Sequence, residues 1–194
     1  NITALLYLFL RLAPFILVSF FSLSSIFNHD FKGIVYLLGL LVSNVVVLSI
    51  ESFMPVIFFT PPDAKDMTCD FLNISSGDST MSNMPLGTGI IAYTLAYLLF
   101  VIIKYGYFFG NIGTIILLST LLLSDFIWHI QHNCFRLNPI LFTIFFFSVC
   151  GVGWAILIDG LKMTDLQYFT SPNGQEICSQ PSRQSFTCRK KKMN

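Results

Sequence analysis

Asp125, His129 and His132 lie on one helical face at spacings of four and three, and carboxylate plus imidazole is a donor set that binds divalent metals. Three ligands close together on one helix rarely converge without a group from elsewhere, and His132 falls where its apolar run ends. The expectation is therefore no bound metal, with the histidines beside Trp128 at an interface between apolar and polar surroundings. A second set is ionic. Arg11, Glu51 and Asp125 each interrupt an apolar run, and a charge at the centre of a membrane span costs about 2.5–3.5 kcal/mol on insertion scales.

Such charges find partners, and depth along the chain suggests which. The runs carrying Arg11 and Glu51 are joined by a short turn, so they form an antiparallel hairpin with the two side chains at similar depth. Asp125 lies toward the same end of its own run, where it joins Arg11 or competes with Glu51 for it. Pro14 and Pro55 follow closely and free the carbonyls of Leu10 and Glu51, so each helix is expected to kink where a polar partner is available. The expected role of the three is a clasp holding helices in register. A proton or ion relay is the alternative, and the runs hold few further polar residues to line its path. No hydrolase, kinase or phosphate-cradling motif is present. Gly87 and Gly89, like Gly151 and Gly153, fall in or beside apolar runs, where glycine lets helices approach closely. The chain is expected not to be an enzyme and to need no cofactor.

These residues are positioned by five apolar runs, at about 2–27, 33–59, 86–103, 112–130 and 140–158. Each is near the ~20 residues with which a helix crosses about 30 Å of hydrocarbon. Mean hydropathy is +0.72 and charged residues make up 11%, against about 25% in soluble domains. Lipid admits only helices or closed barrels, and the runs lack the alternation of barrel strands. The fold class is therefore all-α: a polytopic transmembrane bundle over residues 1–160, with a polar loop at 60–85, and a short polar, basic tail over 161–194. The first run ends in Phe27-Asn28-His29-Asp30 rather than a small-residue cleavage site, which makes it a span and not a signal peptide. No internal repeat supports an inverted-repeat transporter.

The distribution of Lys and Arg gives the bundle a direction. Lys32, Lys104, Lys162, Arg183, Arg189, Lys190, Lys191 and Lys192 gather on one face, and only Lys65 and Arg136 on the other. The tail is expected on the cytoplasmic side and the 60–85 loop on the lumenal or outer side. That loop carries a glycosylation sequon at Asn73, although an unmodified connector is the simpler reading.

The tail is too short and too polar for a core of its own, so it needs a partner to be ordered. Asp165, Tyr168, Phe169, Arg183 and Phe186 are its candidate contact residues. Cys178 and Cys188 flank a Pro-Ser turn and have the spacing to close a small disulfide loop, whereas a reducing cytosol keeps such pairs as thiols. Cys134 lies near the outer interface, Cys150 inside the fifth run, and Cys69 in the outer loop has no evident partner. The terminal run from Arg189 to Lys192 attracts anionic headgroups at about 1 kcal/mol per charge, and reads first as a positive-inside stop signal. As a footprint for nucleic acid it is too small.

Pro85-Leu86-Gly87, Tyr93-Thr94 with Tyr97, Gly106-Tyr107 leading to Gly110-Asn111, Asp125, Ile158-Asp159, the 165–169 stretch and the Cys178 to Cys188 segment form a pattern over residues 84–189. It resembles small multi-pass membrane proteins of large icosahedral double-stranded DNA viruses, including those of algae. The resemblance implies a minor capsid component that ties a capsid shell to the inner viral membrane and resides in host endomembrane during assembly. Its partners would be the lipid bilayer and capsid or other virion proteins, reached through the tail and loops. It also implies a viral thiol oxidation system, which would allow a Cys178–Cys188 disulfide on a cytoplasmic face.

Overall fold

In hydrocarbon every backbone N–H and C=O must find its partner within the protein, so runs this apolar fold as helices. The computed structural model describes residues 2–53, 84–163, 166–167, 176–179 and 187–190. It contains α1 (Ile2–Asn28), α2 (Lys32–Phe53), α3 (Leu86–Lys104), α4 (Ile112–Gln131) and α5 (Leu137–Gly160), with a 3-10 turn, Phe109–Asn111, ahead of α4. All five helices are long and apolar enough to cross a membrane. Outside the bundle the tail forms an antiparallel pair, β1 (Glu176–Ser179) and β2 (Thr187–Lys190), in which Cys178 stands opposite Cys188.

Two boundaries depart from the apolar runs. α5 begins at Leu137 rather than 140 because Pro139 sits in its first turn, where the missing proline N–H costs no helical bond. The described part of α2 ends at Phe53, so the remainder of the run, with Pro55, lies outside the described residues. α1 continues as helix through Pro14.

Four helices end in the same way. The N–H of Asp30 returns to Ser25 O at 3.2 Å, Tyr107 to Ile102 O at 3.0 Å, Cys134 to His129 O at 3.0 Å and Met163 to Ile158 O at 3.2 Å. In each case the residue before the donor is left-handed: His29, Gly106, Asn133 and Lys162, with φ of 51°, 72°, 49° and 57°. This closure satisfies last-turn carbonyls without outside help. Only Gly106 adopts the conformation at no steric cost.

α3 is the axis of the bundle. It lies along α5 over most of its length and also meets α1, α2 and α4. Buried Ile91, Tyr93, Tyr97, Val101 and Phe147 form the centre, and the rings of Tyr36, Tyr93 and Tyr97 sit 5.5–6.3 Å apart. The opposite helix faces carry exposed Phe9, Phe20, Leu41, Ile116 and Phe145, the side chains a bilayer would cover. α4 is the least buried of the five spans.

Two glycines set the α3–α5 distance. A Cβ on Gly151 would stand 2.6 Å from Tyr93 O and 3.2 Å from Tyr97 N, both rigid backbone atoms, and one on Gly89 would stand 2.5 Å from the Phe147 ring. Gly153, two residues on and so on the other face of α5, has nothing within 4 Å. Gly151→Ala should therefore lower stability in detergent by about 1–3 kcal/mol through overpacking, while Gly153→Ala leaves it unchanged or slightly raised. Equal thermal midpoints for the two variants would show that the close approach does not limit stability.

Candidate functional site

The polar side chains inside the spans gather at three levels. At the end of the bundle that holds the α4–α5 turn, Asp125 of α4 is buried against the first turn of α3, where Thr88 Oγ1 donates to its Oδ2. His129, one turn further along α4, brings Nε2 to 3.5 Å from the same oxygen. The His129 ring meets the edge of Phe135 at 5.2 Å, and its buried Nδ1 has no hydrogen-bond partner among the described residues. His132 leaves this group. It is the C-cap of α4, where the chain is already turning toward left-handed Asn133, and its ring packs at a tilt against Trp128, 4.2 Å between centroids. The helical spacing that put all three on one face stops one residue too early. Among the described residues no group of three metal-ligating side chains converges.

A clasp of Arg11, Glu51 and Asp125 was expected; among the described residues the ion pairs of the bundle include Lys104–Asp159 and Asp125–His129. Depth matching fixes height along a helix but not the direction a side chain takes around it. α4 lies chiefly along α3, so Asp125 is carried to Thr88.

At mid-bundle the joining groups are neutral. Tyr36 OH of α2 donates to Thr94 Oγ1 of α3 at 2.6 Å, and Thr94 donates in turn to Ile90 O at 2.6 Å. Trp154 Nε1 of α5 donates to Val35 O at 3.0 Å, and Tyr93 OH of α3 reaches Tyr36 O more weakly at 3.5 Å. Both acceptors are main-chain carbonyls of an intact helix, which side chains normally shield. Gly39 opens the way: a Cβ there would collide with the Tyr93 hydroxyl and stand 2.5 Å from Trp154 Nε1. One missing methyl thus lets two other helices bond to the backbone of α2.

At the opposite end, where the tail begins, Lys104 at the end of α3 pairs with Asp159 Oδ2 at the end of α5, and Tyr105 OH donates to Asp159 Oδ1 at 3.2 Å. Partial burial and that hydrogen bond push the Tyr105 phenol above its ordinary range. The chain then folds back, and buried Gln167 donates from Nε2 to Ala155 O at 2.7 Å. Lys104 and Asp159 close adjacent spans, a signal that depth matching would have found. Nothing in the sequence marked Thr88, Gly39 or Gln167.

Asn73, Asp165, Tyr168, Phe169, Arg183 and Phe186 lie outside the described residues. Cys150 is a half-buried free thiol. Cys134 is buried and disulfide-bonded, to a cysteine whose side chain lies outside the described residues. No protein-family model, curated protein or solved structure matches the chain.

Thr88→Val should cost about 1–3 kcal/mol by leaving the Asp125 carboxyl without its buried donor. Thr88→Val combined with Asp125→Leu should recover part of that loss, because an apolar pair needs no donor. A double-mutant cycle from denaturant unfolding in detergent measures this; additive effects would show that the two side chains act independently.

Proposed function

We propose that the chain is a structural membrane protein, a minor capsid component whose helices anchor a capsid shell to the inner viral membrane and whose tail and loops meet capsid proteins. One observation carries the reading. Several polar groups within the spans join one helix to another, from Thr88–Asp125 at one end through Tyr36–Thr94 to Lys104–Asp159 at the other. What the bundle then offers a partner lies outside it, in a paired hairpin that leads into a run of basic residues. The virion assignment draws on the sequence pattern over residues 84–189.

In this reading the tail faces the cytoplasm. The Lys and Arg distribution supports that direction, and so does the disulfide at Cys134, which sits at the end opposite the tail. Disulfides persist on the lumenal or external side of a membrane and are rare in the cytosol.

Virus particles stripped of their outer shell should retain the chain in the membrane fraction. Amine cross-linking of intact particles should join Lys190, Lys191 or Lys192 to a capsid protein. Absence of the chain from purified particles would overturn the assignment. A channel or transporter is the second reading, favoured by the buried Asp125–His129 contact. Proteoliposomes should show no ion or proton flux above empty vesicles, and a flux that disappears in Asp125→Asn would decide for transport.

A further inference from the structure

We propose that Cys178 and Cys188 form a reversible disulfide that closes the β1–β2 hairpin of the tail. The inference goes beyond the anchoring role and does not rest on it. The strands pair antiparallel in the register Glu176↔Lys190, Ile177↔Arg189, Cys178↔Cys188 and Ser179↔Thr187. Residues directly opposite in such a ladder have Cα atoms about 4.5 or 5.5 Å apart, depending on the site. Both separations fall inside the window of roughly 4.4–6.8 Å that a disulfide spans without backbone movement.

A second observation concerns what holds the hairpin together. Each strand has four residues, and the two pair with each other. An isolated two-stranded hairpin is marginal in water. Ile177 and Phe186 are the large apolar residues that the sequence provides between Glu176 and Lys190. A cross-link at the paired cysteines supplies the constraint that a core would otherwise give, by restricting the open chain.

The chemistry is thiol–disulfide exchange. One cysteine, as thiolate, attacks a disulfide oxidant such as glutathione disulfide and forms a mixed disulfide with release of one thiol. The second cysteine displaces the other half of the oxidant. One S–S bond forms in the protein, and the two protons and two electrons lost by the cysteines leave with the oxidant as two thiols. A cytosolic glutathione poise holds the pair open, and an oxidising environment closes it.

Arg183 lies between the two cysteines and gives a direct readout. Full-length protein is equilibrated in glutathione disulfide, blocked with N-ethylmaleimide, denatured and digested with trypsin. Peptides 163–183 and 184–189 should be recovered as one species, lighter by two hydrogens than the pair, and dithiothreitol should separate them. In Cys178→Ser the linked species should be absent. Recovery of both peptides as separate maleimide adducts after oxidation would overturn the proposal. Linkage of either one to peptide 105–136, which carries Cys134, would overturn it equally.

Discussion

The bundle depends on how closely α3 and α5 approach each other. Gly151 allows a contact with the Tyr93 and Tyr97 backbone that any side chain would block, and Gly89 gives the Phe147 ring its place on the opposite side. In lipid, association of helices gains nothing from expelling water, so dispersion between close backbones and a few hydrogen bonds must supply it. Once α3 and α5 are set side by side, Tyr93 and Trp154 stand ready to bond the exposed carbonyls of α2, and Gly39 makes those carbonyls reachable. α2 is thus fixed by a surface that two other helices build together. α1 packs on α2 and α3, and α4 chiefly on α3.

The polar pairs at the two ends act on the same assembly. Thr88 with Asp125 ties α4 to α3, and Lys104 with Asp159 ties α3 to α5. The Lys104–Asp159 pair is partly exposed, and screening keeps the worth of such pairs small. Its contribution is better understood as fixing which turn of α5 faces which turn of α3. The buried carboxylate at Asp125 has the larger energetic demand, because removing its donor strands a polar group away from water.

How far the sequence foretold this follows from the kind of information each feature needs. The helices were legible because spanning hydrocarbon demands a length and a composition that stand out in any window, and the start of α5 was misread only where Pro139 interrupted the run. Arg11, Glu51 and Asp125 stand out in the sequence as groups needing an explanation, yet the sequence did not point to Thr88 as the donor to Asp125. Charge and depth are one-dimensional, whereas partners are chosen by rotation about the helix axis, which depends on neighbours. Thr88, Gly39 and Gln167 could not be read at all. Each is an ordinary residue whose importance comes from what it faces: a carboxylate, an indole, a carbonyl.

The return of the chain after α5 has a mechanical consequence. Lys162 turns the backbone, and Gln167 is bonded to the Ala155 carbonyl, a turn back inside the helix. A pull on the tail is therefore applied to the side of α5 as well as to its last residue, and the Lys104–Asp159 pair passes it on to α3. The load reaches the two helices most tightly joined in the bundle, and lipid-facing α4 carries little of it. Pulled by its tail, a bundle built in this way resists with the strength of its centre.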